Sequence, residues 1–418
     1  MSTIFPFTIT IISFNRYNAM YKIRLYLCMI SFDNTEIAFA GKSDSDLQWS
    51  YRLFKMIGKP WLVKFGKVVT NAAFALHLPV KGMIKKTIFK QFCGGETIAD
   101  CNGKIAALNQ YKIGTILDYS VEGKSEDDDL DNTRDEIIRT IEAAKKNNSI
   151  PFAVFKVTGI MRTDLLRKAN DPSTALNEQE KKDFADAFAR IDAICNAAFE
   201  ADVPVFADAE DSWFQDAIDR MVNAMMVKYN KEKAIVYNTI QMYRHDRLAF
   251  LKKTLTDAKQ GNYFIGIKLV RGAYMEKERE EAAKGGYPSP IQPDKAATDR
   301  DYDEALKLMV EEIDRCSFCA GTHNEKSSLC LVELMNQHGI PKDDQRVYFA
   351  QLLGMSEHIS YNLAHAGYNV AKYVPYGPVK EVMPYLIRRA EENTSVAGQT
   401  GRELSLIIKE KRRRKASK

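Results

Sequence analysis

The chain has 418 residues, 45% of them hydrophobic and 28% charged, and a net charge of +5. This globular composition excludes a collagen, a globally disordered chain and a polytopic membrane protein. The charge is uneven: residues 409–418 hold seven cations against Glu410 alone, residues 1–32 hold three cations and no acid, and the body between them is mildly acidic at −4, a poor binder of nucleic acid.

Residues 1–32 read as an extension. The apolar stretch at 4–14 has no positive segment before it, which argues against a secretory signal, and a start at Met29 is preferred to a transit peptide. No run reaches the ~18 uncharged apolar residues of a spanning helix. Residues 44–92 read as helices, with Leu53, Met56, Ile57, Trp61, Leu62 and Phe65 at three-and-four spacing and Gly and Pro as punctuation. After CGG at 93–95 the pattern changes. Eight short apolar runs follow, at 113–117, 152–157, 203–208, 234–241, 263–270, 317–321, 347–352 and 370–374. Amphipathic stretches alternate with them at 132–146, 178–199, 211–229, 247–258, 325–338 and 356–366.

Strand–helix alternation implies a parallel sheet with right-handed crossovers, and eight units imply closure into a barrel. An open doubly wound sheet would want a glycine-rich phosphate loop, and neither GxGxxG nor GxxxxGK[ST] occurs. The expected fold is therefore α/β: a (β/α)8 TIM-type barrel over 111–400, a helical arm over 33–110 before it and a basic tail over 401–418. GGYPSPIQP at 285–293 reads as a flexible excursion between the fifth and sixth units. The seven cysteines are scattered and odd in number, which suggests reduced thiols. Cys316 and Cys319 read as buried strand residues in preference to a metal or redox pair.

Barrel enzymes carry their chemistry at the C-terminal strand ends. The residues there are Lys156, Asp208-Ala209-Glu210, Gln241, Lys268 with Arg271-Gly272-Ala273-Tyr274, Thr322-His323-Asn324, Leu352 with Met355, and Tyr373. Singly, each has a bland reading: a solvated lysine, an N-capping aspartate, a satisfied loop histidine, a packed tyrosine. The set is more specific than its members. After the last run, Tyr385, Arg388, Arg389 and Glu392 share one helix face. Adjacent guanidinium groups repel unless an anion lies between them, and each fork binds carboxylate or phosphate. The pair predicts an anionic ligand; a solvated face neutralised by Glu391 and Glu392 is the alternative.

FKQFCGG at 89–95, LDYSVEG at 117–123, FKVTG at 155–159, DAE at 208–210, IQMY at 240–243, KLVRGAY at 268–274, THN at 322–324, LLGM at 352–355 and YVPYG with YLIRRAEEN across 373–393 resemble the proline dehydrogenase family. The resemblance covers most of the chain, and KLVRGAY and the last stretch are its most specific parts. It implies a distorted barrel and oxidation of L-proline to 1-pyrroline-5-carboxylate by hydride transfer to FAD, the first step of proline degradation to glutamate. It implies Asp208, Lys268 and Tyr373 as catalytic residues. Arg388 and Arg389 would clamp the proline carboxylate, with Lys156 as a third cation, and Tyr373 and Tyr385 would wall the ring. Relatives that prefer hydroxyproline tend to carry a smaller residue at the second tyrosine, so Tyr385 points to proline. FAD would be held by Ala209, Gln241, Lys268, Arg271, Gly272, Ala273, Thr322, His323 and Glu392, with no metal. Many bacterial relatives have arginine where Lys268 stands, near the flavin; lysine keeps the charge and loses the fork.

No aldehyde-dehydrogenase half follows the barrel, so the chain looks monofunctional, with a separate pyrroline-5-carboxylate dehydrogenase taking the product. Electrons would pass to a quinone at the membrane surface, and the implied location is cytoplasmic and peripheral on the inner membrane, mitochondrial in a eukaryotic host. Leu404, Ile407, Ile408 and Lys411, followed by RRRK, make the tail the candidate contact with anionic lipid, set against a plain solvated charge run. Two competing functions are a Schiff-base aldolase using Lys156 or Lys268 and a non-catalytic carboxylate-binding barrel.

Overall fold

The computed structural model describes residues 30–76, 78–120, 127–395 and 399–418. Eight parallel strands close into a barrel in chain order. They are β1 (Ile113–Tyr119), β2 (Phe152–Phe155), β3 (Val205–Ala207), β4 (Val236–Gln241), β5 (Ile265–Val270), β6 (Cys316–Gly321), β7 (Val347–Leu352) and β8 (Val370–Tyr376). Closure comes from β1 and β8, which pair from Ile113 opposite Val370 to Tyr119 opposite Tyr376.

Every apolar run of the sequence overlaps a strand, because a barrel strand is covered on both faces and reads as continuous hydrophobicity. Alternate side chains separate two cores. Phe152, Val154, Phe206, Tyr237 and Cys319 fill the barrel interior, with Phe152 stacked on Phe206 at 4.4 Å. Ala153, Phe155, Val205, Ala207 and Cys316 face the helical layer. Cys316 and Cys319 therefore lie in different cores, and burial pushes both thiols up to about 12. The second run is shorter than its sequence pattern. After Phe155 the chain turns into a 3-10 segment, Val157–Gly159, with Lys156 as the residue before it.

Two helices, Met275–Gly285 and Lys295–Glu311, cross from β5 to β6. The segment between them, expected as a flexible excursion, is exposed at 285–288 and held at its end. The His245 amide donates to the Pro290 carbonyl at 3.0 Å and the Gln292 amide to the Tyr243 carbonyl at 2.7 Å, while Ile291 is buried.

The arm includes the helices Asp44–Ile57, Pro60–Ala75 and Ile98–Asn109. Pro60 occupies the first helical position, where its missing N–H costs nothing, and Thr97 and Asp100 form a reciprocal capping box for the third helix. Phe39, Leu47, Phe54 and Phe92 from the arm pack with Val382 and Leu386 of the helix Val379–Ser395, and with Leu406 and Ile407 of a last helix, Gln399–Ala416.

The basic tail is thus a docked helix. Its apolar side faces protein, and its cations meet acids: Arg414 bonds Asp44 at 2.9 Å and Glu410 at 2.7 Å, and Arg413 bonds Glu410 at 2.8 Å. Ile407 is buried and Arg413 and Arg414 are paired, whereas Arg412 and Lys415 are exposed and make no ion pair among the described residues.

Candidate active site

Residues from five strands meet in one charged cluster. Lys268 on β5 donates to Asp208, just past β3, and to Tyr373 Oη on β8 at 2.5 Å. Tyr373 Oη also lies 3.3 Å from the same Asp208 oxygen, and the Lys268 ammonium sits 4.6 Å from the Tyr373 ring centroid. Lys156, just past β2, donates to Asp118 Oδ1 on β1 at 2.8 Å and lies 3.6 Å from Asp208 Oδ2. The cluster thus alternates two lysines with two carboxylates. Burial alone would raise the Asp208 carboxyl, but Lys268 and Lys156 outweigh it and hold the group below the usual carboxylate range. Burial and the facing Asp208 carboxylate push the Tyr373 phenol well above its ordinary value.

Asp118 was not among the residues picked out from sequence, although an acid at the C-terminal end of the first strand is the same signal that marked Asp208. It also accepts from Ser120 Oγ at 2.9 Å. Glu210 is turned away from this cluster: it accepts from the Thr158 amide at 2.9 Å and so ties the β2 turn to the β3 end.

The neighbouring strand ends carry a second polar set. Gln241, at the end of β4, is buried, and its Oε1 has no hydrogen-bond partner among the described residues. Arg271 follows β5 and donates to Asp299 at 2.7 Å, to Thr322 Oγ1 at 2.8 Å and to Ser327 at 2.9 Å. Gly272 has φ +125°, and a Cβ there would meet the Tyr243 ring at 2.5 Å, so only glycine suits the position. Ala209 is partly buried and Ala273 exposed.

His323 Nδ1 lies 2.9 Å from Ser356 Oγ. Burial, followed by the charges of Lys372 and Arg389, lowers the imidazole to about 3, so it is neutral at physiological pH. Ser356 adopts a left-handed conformation, φ +51°, and its amide donates to Glu403 of the last helix. The supposed tail therefore supports the site through Glu403 and Ser356. Nothing local in the sequence marks that contact, which joins residues far apart in the chain.

The helix Val379–Ser395 follows β8 and carries the arginine pair. Arg389 is buried, with its guanidinium 5.2 Å from the Tyr385 ring centroid, and Arg388 lies 6.0 Å from the Tyr274 ring centroid. Tyr385 belongs to the arm-side core and Tyr373 to the barrel interior, and Leu352 packs against both. The Glu392 side chain lies outside the described residues.

Residues 101–402 match the family described as proline dehydrogenase. The chain belongs to the proline dehydrogenase family. It is 32% identical to proline dehydrogenase 1, mitochondrial, of Dictyostelium discoideum, over 91% of this chain and 74% of that one. Identity to the hydroxyproline dehydrogenase of Xenopus laevis is 31%, over 90% of this chain and 88% of that protein. Among solved structures, the proline utilization A protein of Bdellovibrio bacteriovorus superposes with a TM-score of 0.66 at 22% identity. That match covers 76% of this chain and 34% of the longer one, and it shows a shared barrel. Membership of this family accounts for the closed eight-stranded architecture and for the motifs along the strand ends.

Proposed function

We propose that this chain oxidises L-proline to 1-pyrroline-5-carboxylate with FAD as the hydride acceptor. The observation that supports the reading most is the buried Arg389 stacked on Tyr385, two residue types suited to a small carboxylate with an apolar ring. Arg388 and Arg389 would take the substrate carboxylate, and Tyr373 and Tyr385 would flank the ring carbons. Lys156 lies between two carboxylates, Asp118 and Asp208, which offset its charge.

FAD fits the second polar set. A flavin ring N–H is the donor that the buried Gln241 Oε1 lacks, and Arg271, Thr322 and His323 line adjoining strand ends. When bound, FAD accepts the hydride from the ring carbon next to nitrogen. The nitrogen proton leaves to water and a C=N bond forms. Asp208, held ionised by its two lysines, is a weak base; its role is to fix Lys268 and Tyr373. Lys268 would supply a positive charge toward the cofactor, which favours its acceptance of negative charge. The same ion pairs count against an aldolase, since Lys268 and Lys156 each face carboxylates rather than presenting a neutral amine.

Tyr385 is buried and bulky, which favours proline over hydroxyproline despite the hydroxyproline dehydrogenase relative. Electrons would then pass to a membrane quinone and the product to a separate pyrroline-5-carboxylate dehydrogenase. An absorbance spectrum of the purified protein tests the core of this reading. A flavin band should appear and bleach when L-proline is added, and denaturation should release FAD. Folded protein without colour refutes it.

A further inference from the structure

Large apolar side chains are exposed at twelve positions among the described residues, and eight of the twelve fall between Met56 and Met83. The helix Pro60–Ala75 presents Trp61, Phe65 and Val68 at 65%, 63% and 67% exposure, and Leu76, Leu78 and Met83 extend the patch past its end. Soluble surfaces rarely concentrate apolar area in this way without a partner. Residues 61, 65 and 68 share one helical face. The other side of the helix packs on Val379–Ser395, the helix of the arginine pair, and Lys67 pairs with Glu391 at 2.9 Å.

Charge selects the partner. From residue 47 to residue 95 there are nine lysines and arginines and no acid, in a chain whose body is otherwise net acidic. Lys81 and Lys85 pair with Glu96 and Lys90 with Asp46, while Lys59 and Lys86 are exposed and make no ion pair among the described residues. A protein partner would need a groove both apolar and acidic, whereas a bilayer with anionic headgroups offers both features as a continuous plane. Apolar side chains enter the acyl boundary while flanking lysines meet phosphates.

We infer that the Met56–Met83 patch is an interfacial surface by which this chain lies on an anionic bilayer, in place of the docked basic C-terminal helix. The inference rests on the proposed membrane acceptor only for its purpose, since that acceptor would be reached from a surface beside the substrate helix. Its readout is vesicle binding, which is independent of turnover.

The test uses the full chain and vesicles of phosphatidylcholine with or without phosphatidylglycerol. The native protein should float with phosphatidylglycerol vesicles and less with phosphatidylcholine alone. Phe65→Glu/Val68→Glu should weaken that partition by at least about tenfold, and Leu76→Ser/Leu78→Ser should weaken it independently of the helix. Both variants should keep the native melting temperature and proline turnover with a soluble dye, because the altered side chains are already exposed. Native protein that ignores phosphatidylglycerol vesicles overturns the inference, as do variants that bind like the native chain. A native dimer without vesicle binding, dispersed by Phe65→Glu/Val68→Glu, would make the patch a subunit contact and likewise overturn it. Loss of dye turnover in the native protein would instead count against the dehydrogenase reading and leave the vesicle result standing.

Discussion

Asp208→Asn keeps the shape of the side chain and removes its charge. Lys268, whose side chain is 6% exposed, would keep Tyr373 Oη at 2.5 Å and lose its carboxylate. Lys156 is protected, since Asp118 remains 2.8 Å away. The cost therefore falls on one buried ammonium. Removing one member of a buried ion pair costs about 3–5 kcal/mol. Asp208 is 15% exposed on its side chain, and the phenol oxygen still accepts from Lys268, so the lower end, about 3 kcal/mol, is expected. Each kcal/mol lowers the melting temperature by roughly 2–4 °C in a domain of 150–250 residues, and less in a longer chain, which suggests a fall of roughly 5 °C. Lys268→Met should cost less, because Lys156 remains 3.6 Å from the Asp208 carboxylate. The double variant removes both charges and should recover about 2 kcal/mol of the summed loss. Thermal and urea unfolding of the four proteins measure this. If the two single losses simply add in the double variant, Asp208 and Lys268 are not energetically coupled and the cluster does not hold the site together.

Arg389→Met removes a charge-assisted contact worth about 1.5–3 kcal/mol, so the KM for proline should rise roughly 10–150-fold with FAD content unchanged; an unaltered KM rules out the clamp. Native enzyme should prefer L-proline over trans-4-hydroxy-L-proline, since an unpaired buried hydroxyl costs about 1–3 kcal/mol, and Tyr385→Ser should narrow the ratio of the two kcat/KM values. His323, lowered to about 3 by burial and by Lys372 and Arg389, takes up a proton near pH 6.5 on unfolding. The unfolded chain then binds more protons, so stability should fall as pH drops from about 6.5 towards 3, by roughly 5 kcal/mol at most. His323→Gln should flatten that slope in urea titrations at stepped pH. Deleting residues 409–418 removes the Arg413 and Arg414 pairs with Glu410 and Asp44, each worth ~0.2–1 kcal/mol; a truncated protein that melts with the native one would show that these contacts contribute nothing.

The barrel was legible from residues 113–376 because its determinants are local. Strands covered on both sides need unbroken apolar runs, helices between them need three-and-four spacing, and eight repeats of that alternation leave closure as the economical solution. The candidate rim was legible for the same reason: Lys156, Asp208, Gln241, Lys268, Thr322, His323 and Tyr373 each lie in or just past the C-terminal half of an apolar run. Periodicity says which face of an element is covered, and not what covers it. Tertiary packing alone decided that Lys156 faces Asp118 and Asp208, that Lys268 lies between Asp208 and Tyr373, and that Glu403 of the last helix caps Ser356 beside His323. It also reversed the roles of two amphipathic segments. The basic C-terminal helix buries Leu406 and Ile407, while the more apolar arm helix leaves Trp61 and Phe65 in solvent. Both present apolar faces to the same core, and only the arrangement of helices around that core determines which face is covered.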